Sequence, residues 1–138
     1  MFIDEAFKQW IRSCEYYRKK PYLDTQGKLT IGYGRNIQDN GISVEEAEFL
    51  LKNDIKRSEE ELNKFHWYRS QPDNVKKALI NMNFNLGITR LLSFKKMINA
   101  LMENNYTKAA EEALNSNWAK QVGNRAKDIA IMMREASN

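Results

Sequence analysis

Apolar residues recur every three or four positions along most of this 138-residue chain, and one stretch clearly interrupts that helical pattern. The interruption begins at Pro21, after which residues 22–34 alternate in the manner of two strands joined by a turn at Gln26-Gly27. Helical repeats that enclose one small hairpin predict an α+β fold that is mostly helical.

The strongest helical signals lie on either side of this hairpin. Apolar residues from Ile3 to Cys14 mark one face of a first helix. Ser43 and Glu46 form a capping box, and the apolar series that follows to Phe65 predicts one long helix. The remaining predicted helices start near Pro72 and end at Gly87, and then cover 91–102, 106–115 and 123–135.

The size of the chain favours a single domain. With 42% hydrophobic and 29% charged residues over 138 positions, the composition is that of one globular folding unit. We expect one domain over residues 1–138, built from a small hairpin lobe and a larger helical lobe that the long helix joins. The small lobe would cover about residues 14–55 and the helical lobe residues 1–13 plus 65–138. We also expect a monomer.

The charge of the chain favours an anionic partner. The formal net charge is +4 at pH 7, which suits nucleic acid, an acidic membrane surface or an anionic wall polymer. The basic residues form scattered pairs and triplets, such as Lys76-Lys77 and Lys95-Lys96. A groove that binds nucleic acid would instead show one long basic stripe. We therefore expect no nucleic-acid partner.

Cysteine and histidine usage argues against a metal centre. Cys14 is the single cysteine and His66 the single histidine, which excludes an intrachain disulfide and a site of several thiolates and fits a reducing compartment. We expect no metal and no cofactor. The segment from Phe2 to Ile11 carries Asp4, Glu5 and Lys8 within its apolar pattern, so we expect neither a signal peptide nor stable membrane insertion.

Two carboxylates, one before the hairpin and one on it, could cleave a glycosidic bond. That reaction needs one carboxylic acid to protonate the leaving oxygen and a second carboxylate to handle water. Glu15 ends the first helix, Asp24 lies on the hairpin, and Thr30 on the returning strand could hold a water. Taken singly, these residues are better explained as a helix-end charge, a turn residue and a strand former.

Three segments together resemble the phage-type lysozymes, glycoside hydrolase family 24. Residues 15–34 resemble the catalytic segment of that family, with Glu15, Asp24 and Thr30 spaced around the strand Thr-Ile-Gly-Tyr-Gly. Residues 78–87 resemble its central buried helix, and Trp118 with Asn-Arg-Ala at 124–126 resembles its closing motif. The resemblance covers nearly the full chain in order and implies a lysozyme-like two-lobed fold.

The resemblance also implies roles for individual residues. It makes Glu15 the general acid, Asp24 the base or electrostatic partner, and Thr30 the residue that positions water. It implies inversion, which needs a gap of roughly 6.5–9.5 Å between the carboxylates. Arg125 would lie beside Glu15 and hold it in place, or would form a structural ion pair without a catalytic role. Three further residues match positions that line the sugar cleft, although they could equally pack, cap or turn: Asn36, Phe84 and Asn85.

The chain departs from the family pattern near the hairpin. Tyr16 follows the acid where many members have Gly, and Arg35 stands where many have His. We predict that Arg35 pairs with Asp54 on the long helix. The stretch from Asn36 to Ser43 is short, so we expect the small lobe to lack an extra helix.

The sequence therefore predicts a muramidase that acts on bacterial peptidoglycan, at the β-1,4 bond between N-acetylmuramic acid and N-acetylglucosamine. A lytic transglycosylase and a non-catalytic module that binds peptidoglycan are the alternatives. We expect the protein to stay in the host bacterial cytoplasm until a membrane lesion made by another protein releases it to the cell wall.

Overall fold

The fold is mostly helical with one small sheet, which confirms the α+β class. The computed structural model describes residues 2–136, and the chain divides into two compact units, Met1–Phe49 and Leu50–Asn138. The lobe boundaries expected from the sequence, with residues 1–13 in the helical lobe, stay a prediction.

The first unit begins with the helix that carries the expected acid. Helix α1 (Glu5–Glu15) is capped by Asp4, whose side chain accepts a hydrogen bond from the Phe7 amide at 2.9 Å. Such an N-cap satisfies an amide that has no partner within the helix. At the other end, Tyr16 leaves the helical conformation with φ 47°, so Glu15 is the last helical residue and its side chain stands where the chain turns toward the sheet.

A three-stranded antiparallel sheet follows, in the order β1-β2-β3. Its strands are β1 (Arg18–Leu23), β2 (Leu29–Gly32) and β3 (Arg35–Asn36). Strand β1 begins earlier than the alternation at residues 22–34 predicts, and it includes Pro21. The pairing of β1 with β2 is irregular between Arg18 and Tyr22, and an edge strand tolerates a proline because one side of it needs no ladder hydrogen bonds.

Two helices complete the unit and lead out of it. Helix α2 (Ile37–Asn40) is a single turn, so the expectation that no extra helix lies between Asn36 and Ser43 was wrong. Helix α3 (Val44–Leu62) confirms the long helix. Its capping box is present as predicted, since the Glu46 amide donates to the Ser43 hydroxyl at 3.1 Å and the Ser43 amide donates to the Glu46 carboxylate at 2.8 Å.

The second unit is a helical bundle with one apolar core. Every helix of the unit contributes buried residues to this core, which includes Leu62, Leu79, Met82, Leu101, Ile129 and Met133. Its helices after α3 are α4 (His66–Arg69), α5 (Asp73–Leu86), α6 (Ile88–Leu92), α7 (Lys95–Met102), α8 (Tyr106–Leu114), α9 (Asn117–Val122) and α10 (Asn124–Glu135). Across residues 2–136, no helix combines the length and the apolar character that crossing a bilayer requires.

One predicted helix is two helices in the structure. The pattern over 91–102 predicts a single helix, but α6 ends before Ser93 and α7 starts after Phe94. The Ser93 hydroxyl donates to the Arg90 carbonyl at 2.5 Å, which satisfies a carbonyl at the end of α6. The Phe94 ring packs edge-on against Trp118, with ring centroids 6.0 Å apart. This core contact explains the break.

Candidate active site

The expected acid lies against a glycine of the sheet. Gly34 occupies the turn between β2 and β3 with φ +71°, and a β-carbon built on it would lie 2.8 Å from Cδ and 3.3 Å from Cγ of Glu15. Separations below about 3 Å between such carbons are sterically forbidden, so the Glu15 carboxyl occupies the space that any larger residue would need. The Glu15 side chain is otherwise exposed.

Asp24 shapes the hairpin turn through one of its oxygens. Its Oδ1 accepts hydrogen bonds from the amides of Gln26 at 2.8 Å and Lys28 at 2.9 Å, and its own amide donates to the Lys28 carbonyl at 2.9 Å. This is the local bonding that an aspartate offers in turns. Because both amides bind Oδ1, the half-buried carboxylate is fixed in orientation and Oδ2 is the oxygen that could act on water.

Thr30 is joined to Asp24 through a single backbone position. Its hydroxyl donates to the Lys28 carbonyl at 2.9 Å, and the Lys28 amide donates to Asp24. Thr30 is 3% exposed and pairs with Tyr22 on β1 and Asn36 on β3. Since its one hydroxyl proton is used, the hydroxyl can only accept from a water. The structure therefore brings Asp24 and Thr30 together, as the sequence predicts.

Asn36 is engaged in local bonds. Its Oδ1 accepts from the Asp39 amide at 3.0 Å and its Nδ2 donates to the Asp39 carboxylate at 2.9 Å. It is therefore the N-cap of α2, which is one of the two roles that the sequence allowed. A role for Asn36 in binding sugar stays a prediction.

Arg35 pairs with Glu46, so the predicted pairing with Asp54 was wrong. Arg35 donates to both carboxylate oxygens of Glu46, in one case at 3.0 Å, and to the Gly41 carbonyl at 3.1 Å. Asp54 instead accepts from Arg57 one turn further along α3, at 2.8 Å. The physical reason is that the capping box already holds Glu46 at the start of α3. The hydrogen bonds from Arg35 lower the pKa of Glu46 to about 2.

Two of the expected sugar-cleft residues lie in the second unit, at the end of α5. Asn85 accepts a hydrogen bond from the indole nitrogen of Trp118 at 2.8 Å, and Trp118 is buried. Phe84 is 42% exposed and borders a cavity of about 350 Å³ together with Arg125. The structure thus brings Phe84 and Arg125 together within this unit.

Arg125 is held by a residue that sequence reasoning did not single out. Its Nε donates to Asn81 Oδ1 at 2.8 Å and its Nη2 to the Asn81 carbonyl at 3.3 Å. Asn81 lies within the helix motif that carries the resemblance, but its spacing alone shows no partner. The proposed place of Arg125 beside Glu15 stays a prediction.

Sequence reasoning also gave no role to Gly34 or to the buried pair Ser58 and Asn83. The sequence does not show which side chain a glycine such as Gly34 contacts. Polar residues such as Ser58 and Asn83 within an apolar helical repeat are first expected to be exposed. Within the part of the chain that the structure describes, no three His, Cys, Asp or Glu residues lie close enough together to hold a metal ion.

Comparison with known proteins places this geometry in a family. A model of the phage lysozyme family matches residues 12–136. Two proteins of Dictyostelium discoideum, probable T4-type lysozyme 1 and probable T4-type lysozyme 2, are 26% and 27% identical to this chain in alignments of 154 positions that cover 90% of this chain and 91% of each relative.

A third relative contains a similar stretch within a larger protein. The pre-baseplate central spike protein Gp5 of Enterobacteria phage T4 is 25% identical in an alignment of 158 positions that covers 93% of this chain and 27% of that protein. The family match covers most of the chain and includes Glu15, Asp24 and Thr30. The chain therefore belongs to the phage lysozyme family.

Proposed function

We propose that this protein is a muramidase that hydrolyses the β-1,4 bond between N-acetylmuramic acid and N-acetylglucosamine in bacterial peptidoglycan. One observation within the first unit carries the proposal: the Lys28 amide donates to the Asp24 carboxylate, and the Lys28 carbonyl accepts from the Thr30 hydroxyl. A carboxylate and a hydroxyl fixed in this way form an acceptor pair for one water. Membership of the phage lysozyme family supports a lysozyme-type glycosidase.

In this mechanism Glu15 is the general acid. Its carboxyl donates a proton to the glycosidic oxygen as the bond to the anomeric carbon lengthens, and positive charge develops on the sugar ring. The exposed position of the carboxyl at the end of α1 gives a polymer chain access to it. After the leaving sugar departs, Glu15 is a carboxylate.

Asp24 and Thr30 act on the water. The water donates one proton toward Asp24 Oδ2 and a second hydrogen bond to the Thr30 hydroxyl, which orients its lone pair toward the anomeric carbon. Asp24 takes the proton as the new carbon–oxygen bond forms on the face opposite to the leaving group, so the configuration inverts. The product sugar carries a free reducing end.

A lytic transglycosylase is the second candidate, and one observation favours it. Asp24 Oδ1 is fully engaged in the hairpin turn, so Asp24 could be retained for the turn alone. Glu15 would then act by itself, and the muramic acid would close an anhydro ring in place of adding water. Thr30 binds the backbone of Lys28, the same residue whose amide binds Asp24. This position favours hydrolysis, because ring closure needs no residue to hold a water.

The proposal is tested by clearing of bacterial walls stripped of their outer membrane. The wild-type protein should clear them, and Glu15→Gln, which keeps the shape but removes the acid, should clear them at least about 10²-fold more slowly. Glu45→Gln is the matched control because it neutralises an exposed carboxylate of the same unit. Equal clearing by wild type and Glu15→Gln would contradict the proposal, as would no clearing by either.

We also propose that the protein accumulates in the host cytoplasm and reaches the wall through a lesion in the membrane. Its single cysteine suits a reducing compartment. Bacteria that express the chain should stay intact until their inner membrane is permeabilised and then lyse rapidly. Lysis without permeabilisation would contradict this route.

A further inference from the structure

We infer that Gly34 is a positioning residue for the acid: its missing side chain determines where the Glu15 carboxyl lies. The inference rests on the proposed function, because it assigns the acid to Glu15, and it adds a residue that determines the efficiency of that acid. The contact involves α1 and the β2–β3 turn, which both belong to the first unit.

The geometry leaves no room for both groups. A methyl group at position 34 would stand 2.8 Å from the carboxyl carbon of Glu15 and 3.3 Å from the methylene before it. Carbon atoms in van der Waals contact are about 3.5–4.0 Å apart. One of the two groups must therefore move.

The Glu15 side chain is the group that would move. It is exposed at the end of a helix, with several rotatable bonds, whereas Gly34 belongs to a turn between two paired strands. An alanine at position 34 is thus expected to displace the carboxyl and to leave the backbone of the sheet in place. A general acid displaced by about 1 Å can lose about 10²-fold in rate.

Gly32 provides a matched control two residues earlier. Its φ of +68° is close to the +71° of Gly34, but a β-carbon there would meet no atom within 4 Å. Both φ values favour glycine, so an alanine at either position introduces a similar backbone strain. Any additional effect of Gly34→Ala therefore comes from its contact with Glu15.

The test compares Gly34→Ala and Gly32→Ala with wild type on soluble peptidoglycan fragments. We expect similar melting temperatures for the two variants, a kcat of Gly34→Ala about 10²-fold below that of Gly32→Ala, and a similar KM. A lower kcat at constant KM indicates a displaced acid, whereas a general loosening of the hairpin would lower the kcat of both variants alike. Equal kcat values for the two variants would overturn the inference.

A second readout does not depend on catalysis. In protein labelled with carbon-13 at glutamate Cδ, the Glu15 resonance is assigned by its loss in Glu15→Gln. Gly34→Ala should shift this resonance and Gly32→Ala should leave it in place. An unchanged resonance in Gly34→Ala would overturn the inference even if wild type proved inactive, so this result is separable from failure of the proposed function.

Discussion

Asn83 on α5 donates a hydrogen bond from Nδ2 to the hydroxyl of Ser58 on α3 at 2.8 Å, and both side chains are buried. The same nitrogen lies within 3.3 Å of the Ser58 carbonyl and 3.2 Å of a Glu61 carboxylate oxygen. Among residues 2–136, Asn83 Oδ1 is buried and has no partner. The two helices of the second unit are therefore joined by a polar contact that is only partly satisfied.

This contact predicts opposite effects for two substitutions. Asn83→Asp has the same shape but places a charge beside two acceptors, and it should lower the free energy of unfolding at neutral pH by about 3 kcal/mol. The double variant Ser58→Ala with Asn83→Val removes both polar groups and should be neutral or up to about 1 kcal/mol more stable. Urea denaturation measures both. A stable Asn83→Asp would show that water reaches the site.

The Arg35–Glu46 pair predicts a pH-dependent stability. The pKa of Glu46 falls from its ordinary 4.5 to about 2 in the folded protein, so its charge stabilises the fold above pH 4.5 and that contribution is lost as the pH falls through 2. Glu46→Gln keeps an oxygen for the Ser43 amide and removes only the charge. Wild type should be more stable than Glu46→Gln at neutral pH, and the difference should disappear near pH 2.

Thermal melting between pH 7 and 2 measures this difference, with Glu45→Gln as the control on the same helical turn. Because both partners are exposed, salt should reduce the difference at neutral pH. No difference at neutral pH would contradict the prediction and would mean that Glu46 stabilises α3 through its cap alone.

Substitutions of Asn85 test whether this residue at the end of α5 has only a structural role or also binds substrate. Its Oδ1 is the acceptor for the buried Trp118 indole, so Asn85→Leu should leave that N–H without a partner and lower the free energy of unfolding by about 1–3 kcal/mol. Asn85→Asp keeps an acceptor and should retain more of the stability. If Asn85 also binds sugar through Nδ2, Asn85→Asp should raise KM; an unchanged KM would leave Asn85 with its structural role only.

Substitutions of Asp24 separate its structural role in the turn from its proposed role as base. Asp24→Asn retains an oxygen that can accept from the Gln26 and Lys28 amides, so the turn and the melting temperature should be preserved. The loss of the base should lower the rate of wall hydrolysis by about 10²–10⁴-fold. Asp24→Ala should lose both the rate and the stability. Full activity of Asp24→Asn would contradict the role of Asp24 as base and favour the transglycosylase.

Local signals in the sequence were read correctly where they depend on neighbours along the chain. The Ser43–Glu46 capping box predicted the start of α3 within one residue, because both partners lie in one helical turn. Gly87 likewise ends α5 as predicted. The division of residues 91–102 into two helices was missed, because the break depends on Phe94 packing against Trp118, which is distant in sequence.

The candidate site shows the same limit. The family resemblance identified Asp24 and Thr30, but the Lys28 backbone that joins them carries no sequence signal. Arg35 was assigned to the wrong carboxylate, since Asp54 and Glu46 both lie on α3 and spacing does not distinguish them. The closeness of Gly34 to Glu15 depends on where a helix end meets a turn, which only the folded chain defines.

The most direct test of the proposed hydrolysis is mass spectrometry of the fragments that the wild-type protein releases from purified walls, with Glu15→Gln as the control. Hydrolysis should release muropeptides with a free reducing end, heavier by one water than anhydro fragments, and Glu15→Gln should release none above background. Anhydro fragments from the wild type would contradict it and would identify a lytic transglycosylase.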